Sequence, residues 1–287
     1  MDAVDAVDAV DAVEAVEAVE AVDAFDALER RIWAASAGGY TASVARLCAH
    51  TVPALLDAAD VRPGVAVLDV GTGTGAVAAA ARARGARVVA VDAEPAMVAE
   101  AGRTVPEAVV AALPELPFAD STFDVVLGNF VLNHVGRPAA ALAELRRVLR
   151  PAGRLGLTAW AAPAPPGQSL LARAFEAAGA VRPADLPSPP AALAAVTEVE
   201  GFRALLADSG FGAVDGRVVR WDHRTSVEAW WGGPAGGVAF LGELLRRQSP
   251  EARVGVRREF ERLAGEFMGV EGELALPHAA VLVSARR

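Results

Sequence analysis

Residues 65–82 constrain this chain more than any other stretch. Val65 to Val70 is a short, nearly all-apolar run rich in β-branched residues, the pattern of a strand buried on both faces of a parallel sheet. Gly71, Gly73 and Gly75 follow at alternate positions, and Ala76-Val77-Ala78-Ala79-Ala80-Ala81-Arg82 is a strong helix former. Strand, glycine loop and helix in that order open a nucleotide-binding βαβ unit. Glycine has no Cβ, so the backbone can turn tightly and a ligand can approach it closely. Gly85 ends the helix, Arg87 to Val91 reads as the second strand, and Asp92 sits at its end. An acid about twenty residues past a glycine loop is placed to accept hydrogen bonds from both hydroxyls of an adenosine ribose.

The glycines alone do not choose the ligand, since Gly71-x-Gly73-x-x-Ala76 also fits a dinucleotide fingerprint. Asp69 argues against a dinucleotide. A carboxylate just before the loop repels a diphosphate but suits a cationic ligand with an α-amino group. S-adenosylmethionine (AdoMet), with a sulfonium and an ammonium, is such a ligand.

Five further segments extend the pattern: Val91-Asp92-Ala93-Glu94-Pro95-Ala96-Met97, Leu116-Pro117-Phe118-Ala119-Asp120, Phe123-Asp124-Val125-Val126, Asn129-Phe130-Val131-Leu132-Asn133-His134-Val135, and Leu145 to Leu155. With them, residues 64–160 resemble the core of a class I AdoMet-dependent methyltransferase of the small-molecule, type 11-like family. The resemblance covers roughly the middle third of the chain. It implies a Rossmann-like α/β fold: a doubly wound seven-stranded sheet, mostly parallel with an antiparallel last strand, plus helical lid insertions. It implies AdoMet as cofactor, held by Tyr40, Asp69, Gly71, Thr72, Gly73, Gly75, Asp92, Ala93, Met97, Ala112, Leu113, Asn129, Phe130, Val131 and His134. The family usually carries an Asp four residues before Leu-Pro-Phe, where its carboxylate meets the adenine amino group. Ala112 stands there instead, followed by Leu113. The adenine must then rest on backbone groups and apolar packing.

Charge is distributed unevenly. Of the formal net charge of −9, nine acids lie in residues 1–28, which hold no base, so the remainder is neutral. A nucleic-acid footprint is absent. Cys48 is the only cysteine, which excludes an intrachain disulfide and fits a reducing cytoplasm. The acidic start does not read as a secretory signal, and Arg and Gly interrupt every apolar run before membrane-spanning length. Residues 2–28 are nine triplets of acid-Ala-Val type, the last two ending in Phe25 and Leu28. On a helix each triplet turns the valine stripe by about −60°, so no fixed apolar face persists. The segment reads as a weakly helical acidic extension. Alternatively, it packs on a second subunit as part of a homo-oligomer, or covers the mouth of the site.

The remaining chain divides into an N-terminal helical cap (29–62), the AdoMet-binding core (63–160), the remainder of the core with variable loops (161–225), a helical insertion over the acceptor site (226–272) and a last strand (273–287). Gly38-Gly39 is expected to break the first cap helix, Thr41 or Ser43 to cap the next, and Pro53 to kink it. Gly216–Trp221 and Ala280–Ser284 read as late strands forming an antiparallel edge. Trp33, Trp160, Trp230 and Trp231 are candidate walls of an apolar acceptor pocket, or else core of the added helices. His134 is the candidate general base, since imidazole titrates near working pH; the alternative is that it only packs beside the cofactor. No metal-ligand spacing occurs among the histidines. The expected activity is methyl transfer to an O, N or C nucleophile of a small, fairly apolar metabolite in specialised, natural-product biosynthesis. A same-fold enzyme catalysing a non-methylating step such as a cyclisation, or a non-catalytic AdoMet-binding protein, are the alternatives.

Overall fold

The computed structural model describes residues 3–269 and 272–287, the side chains of residues 3–17 and of residue 37 excepted. In chain order the elements are α1 (Ala3–Ala42), α2 (Val44–Cys48), α3 (Val52–Ala58), β1 (Ala66–Val70), α4 (Ala76–Ala83), β2 (Arg87–Asp92), α5 (Pro95–Ala101), β3 (Ala108–Val110), β4 (Phe123–Asn129), α6 (Pro138–Val148), β5 (Leu149–Trp160), α7 (Leu170–Ala177), α8 (Val199–Asp208), β6 (Gly212–Thr225), α9 (Val227–Ala235), α10 (Ala239–Arg246), α11 (Pro250–Ala264) and β7 (Leu274–Arg286). The seven strands form one sheet in the order β3-β2-β1-β4-β5-β7-β6. Neighbours among β1 to β5 run parallel, and β7 is antiparallel to both β5 and β6. This is the doubly wound arrangement the sequence implies.

Alternation along the strands builds two cores. Val67, Val125 and Leu127 meet Leu55 and Leu56 of α3 and Val77, Ala78 and Ala81 of α4. Leu68, Val70 and Val126 point the other way, against Leu142 and Leu145 of α6 and Phe202 and Leu206 of α8. A sheet covered on both faces explains why β1 shows no polar alternation. Burial of each such leucine or phenylalanine contributes roughly 1.5–3 kcal/mol. A third cluster joins Phe175 of α7, Leu245 of α10 and Phe260 of α11 to Leu274 and Leu276 of β7.

Several expectations are corrected. The helix does not break at Gly38-Gly39; α1 continues to Ala42. Here the glycines serve close packing: a Cβ on Gly39 would come within 2.8 Å of Val238 Cγ2. The Ser43 hydroxyl donates back to the Gly39 carbonyl at 2.6 Å and does not cap α2. Pro53 lies in the first turn of α3, where its missing N–H costs nothing, after a single 3-10 turn over Ala49–Thr51. The late strands are longer than their apolar centres, because the β6–β7 ladder pairs from Gly212↔Arg286 to Thr225↔Leu274. Nor is there a boundary at residue 28, since α1 runs through it with Phe25 and Leu28 buried at 2 % and 1 % exposure. The last triplets of the repeat therefore belong to the folded body. The packing of residues 1–17 on a second copy lies outside the described side chains.

Candidate active site

The carboxyl ends of β1, β2 and β4 open into a cavity of about 340 Å³, with α1 as its far wall. Gly71 and Gly73 line it and carry left-handed backbone, at φ 63° and 54°. A Cβ on Gly71 would fall 2.4 Å from Val131 Cγ2, and one on Gly73 would meet the Tyr40 ring at 3.3 Å. Only glycine keeps this cradle open. Asp69, Thr72 and Gly75 do not line the cavity. The Thr72 hydroxyl and the Ala78 N–H both donate to Asp69 Oδ2, at 2.7 and 3.1 Å. Asp69 is thus a buried brace for the loop, 1 % exposed, and burial pushes its carboxyl up to about 7. Its Oδ1 has no partner among the described residues. The expectation of a carboxylate facing the ligand's ammonium is corrected accordingly. Gly75, at φ 85°, begins α4 in a conformation that disfavours a side chain.

Asp92 stands where the ribose acid is expected. The parallel β1–β2 register, Val70 opposite Val91, brings it beside the loop. Its Oδ2 accepts from Gly73 N at 2.8 Å and its Oδ1 from Glu94 N at 3.0 Å. Each carboxylate oxygen keeps a further acceptor site for a ribose hydroxyl. Burial raises this carboxyl above its ordinary range. Beyond it, Ala93, Met97, Ala111, Ala112, Leu113 and Pro114 make an apolar wall. Glycine cradle, ribose acid and apolar slot fit an adenosyl ligand.

Tyr40 and Val131, against the glycine cradle, continue the lining with Asn129, Phe130, His134, Trp33 and Trp160. Asn129 lines the cavity, but its amide is spent on the scaffold. It donates to the Cys48 carbonyl at 3.0 Å and accepts from Thr51 and Thr158 hydroxyls at 2.7 and 2.6 Å. Phe130 holds φ 59°, which is uncommon for a side-chain-bearing residue and marks a site where surrounding contacts over-determine the backbone. Its N–H donates to the carbonyl and hydroxyl of Thr158, and its ring stacks on Trp160 at 4.0 Å. Tyr40 meets Trp33 edge to face at 5.6 Å, and burial raises its phenol well above the ordinary value. His134 Nδ1 lies 2.8 Å from Glu29 Oε2, and Nε2 lies 2.7 Å from Asn133 Nδ2.

Trp230 and Trp231 are not brought to the cavity. Trp230 packs on His223 and His278, each 5.4 Å away, and Trp231 on Phe260 at 5.2 Å. Both belong to the added helices, whose one lining residue among those described is Ala239. Asp23, Asp26, Glu29, Arg30 and Arg137 line the cavity without having been anticipated. Asp26 accepts from Gly136 N at 2.7 Å, and Arg137 pairs with Asp23 at 2.7 Å and Asp26 at 3.5 Å. A signal was available: Phe25, Leu28 and Ile32 recur at helical spacing just where the triplet pattern ends, with Glu29 and Trp33 beside them.

A family model described as a methyltransferase domain matches residues 68–157. The demethylmenaquinone methyltransferase of Beutenbergia cavernae is 42 % identical over 112 residues, covering 38 % of this chain and 47 % of the relative. The enzyme of the same name from Renibacterium salmoninarum is 37 % identical over 103 residues, covering 35 % and 44 %. The chain thus matches about half the length of these curated relatives or less. Among solved structures, the YcgJ protein of Bacillus subtilis superposes with a TM-score of 0.53 at 20 % identity, covering 83 % of this chain and 98 % of that one. Residues 68–157, which carry the match to the methyltransferase-domain model, hold the glycine cradle and Asp92 on the parallel part of the sheet.

Proposed function

We propose that the chain is an AdoMet-dependent methyltransferase that acts on an O, N or C nucleophile of a small, fairly apolar metabolite in specialised biosynthesis in the cytoplasm. One observation carries this reading. One cavity is lined by the glycine cradle and Asp92 together with the aromatic rings of Trp33, Tyr40, Phe130 and Trp160. The relatives named for methyl transfer to demethylmenaquinone support an apolar acceptor. When bound, AdoMet supplies a methyl group already activated by its sulfonium.

The chain's own residues then do three things. Gly71, Gly73 and Asp92 hold the adenosyl part against the strand ends. Phe130 and Trp160 offer a flat apolar face on which an acceptor can be aligned, and alignment is worth far more than proton transfer in such a displacement. Through Phe25, Leu28 and Trp33, α1 closes the far side against water. Calorimetry with AdoMet and with a nicotinamide dinucleotide tests how the adenosyl part is held, and the expected result is that AdoMet binds and the dinucleotide does not. Release of S-adenosylhomocysteine across a panel of phenols, quinols, amines and active-methylene compounds tests the activity. Tight dinucleotide binding without AdoMet binding refutes the reading.

A further inference from the structure

Glu29 is a buried acid on the cavity wall, its side chain 8 % exposed, and no motif of the methyltransferase core includes it. Its Oε2 receives two donors: the Trp33 indole N–H at 3.0 Å and His134 Nδ1 at 2.8 Å. A carboxylate only accepts, so the shared proton belongs to Nδ1, and the neutral ring carries its lone pair on Nε2. The Trp33 ring stands edge to face against the imidazole at 5.0 Å and limits its rotation. Nε2 meets the Asn133 amide nitrogen at 2.7 Å, whereas Asn133 Oδ1 is buried with no partner among the described residues. No hydrogen bond at that oxygen holds the amide in place. A donor entering from the cavity can replace it at Nε2.

We propose that Glu29 is a positioning residue for the proposed methyl transfer: it fixes His134 as the Nδ1–H tautomer, so that Nε2 takes the proton from an acceptor O–H or N–H. The inference rests on the methyltransferase reading and narrows its acceptor class to nucleophiles that shed a proton. In the step, the acceptor O–C or N–C bond forms while the S–C bond breaks and leaves its electron pair on sulfur. The acceptor proton passes to Nε2, and the imidazolium so formed faces the Glu29 carboxylate. His134 touches the acceptor; Glu29 acts through it.

The tautomer can be read without cofactor or acceptor, by nuclear magnetic resonance of the full-length protein labelled with 15N-histidine in alkaline buffer. The His134 signals are identified by their loss in His134→Asn. The expected wild-type spectrum shows Nδ1 protonated and Nε2 bare. Glu29→Leu moves the proton onto Nε2 in part or whole, and Glu29→Gln, whose amide oxygen still accepts, keeps it on Nδ1. A wild-type ring protonated at Nε2, or a folded Glu29→Leu protein with an unchanged tautomer, overturns the proposal; the wild-type spectrum decides even if the leucine variant does not fold. Calorimetry separates this from the parent reading, which fails alone if AdoMet does not bind. With an acceptor found in the panel, Glu29→Leu lowers kcat roughly 10- to 100-fold with the KM for AdoMet unchanged, and Glu29→Gln restores part of it. Methylation confined to carbon acceptors, or an unchanged kcat, counts against the proposal.

Discussion

Gly71→Ala is the most demanding single perturbation of the cofactor cradle. Two costs add. The backbone sits at φ 63°, where a Cβ costs about 1–2 kcal/mol. The new methyl would also lie 2.4 Å from Val131 Cγ2, 3.3 Å from Cγ1 and 3.4 Å from Cβ. Optimal carbon contacts lie near 3.5–4.0 Å, so at least one contact is a hard clash. Relieving it requires Val131 to leave its present rotamer or the loop to shift. Overpacking of this kind costs about 1–3 kcal/mol, for a total near 2–5 kcal/mol. A domain stable by about 5–15 kcal/mol remains mostly folded, so the effect is measurable by urea denaturation. The methyl also enters the space beside the glycine loop, and AdoMet affinity should fall at least ~10-fold by calorimetry, or about 1.4 kcal/mol. Gly71→Ala combined with Val131→Ala relieves the clash but not the backbone cost, so it should recover about half of the lost stability. A Gly71→Ala protein with the wild-type urea midpoint and the wild-type Kd refutes the cradle argument.

Three other measurements follow from the same geometry. His223 and His278 are 4 % and 2 % exposed, and burial lowers both rings from the ordinary 6.5 to about 4. Their contribution is present above 6.5 and is lost as pH falls toward 4, so an acid titration should show early unfolding that His223→Leu, which removes a buried unpartnered Nδ1, makes shallower at no cost near neutrality. Asp69 has the opposite sign: its folded carboxyl is raised from 3.8 to about 7, so its contribution is complete below 3.8 and lost as pH rises through 7. Asp69→Asn should therefore flatten the fall in stability across that window, measured as urea midpoint against pH. Asp26→Ala leaves the buried Gly136 N–H without its acceptor and should cost about 1–3 kcal/mol in urea denaturation, while Asp23→Ala, at an exposed ion pair, should cost under about 1 kcal/mol.

Much of the framework was legible because its signals are local. A strand buried on both faces shows itself as a short, mostly apolar run without polar alternation, and β1 and the Val125–Leu127 stretch of β4 do so. A backbone that must adopt positive φ shows itself as glycine, at Gly71, Gly73 and Gly75. The ribose acid follows from chain length, since one helix and one loop return β2 beside β1. Trp160, expected among the aromatics near the mouth, reaches the cavity from the carboxyl end of β5. The tryptophan pair at 230 and 231 misled because aromatic content does not say which core a helix joins. Gly38-Gly39 misled because a glycine that permits close helix contact looks the same in sequence as one that ends a helix.

The amino-acid order by itself determined the βαβ core and the strand ends that carry the candidate site, because each follows from torsional preference, burial period and spacing within about thirty residues. Only the tertiary structure decided that Asp69 braces the loop, that the Asn129 amide is consumed by Cys48, Thr51 and Thr158, and that Glu29 meets His134 across 105 positions of chain. The last of these depends on where α1 lies on the body of the protein. That placement comes from Leu28 and Ile32 packing with Leu186 and from Gly39 lying against Val238, contacts with distant segments that no local period encodes.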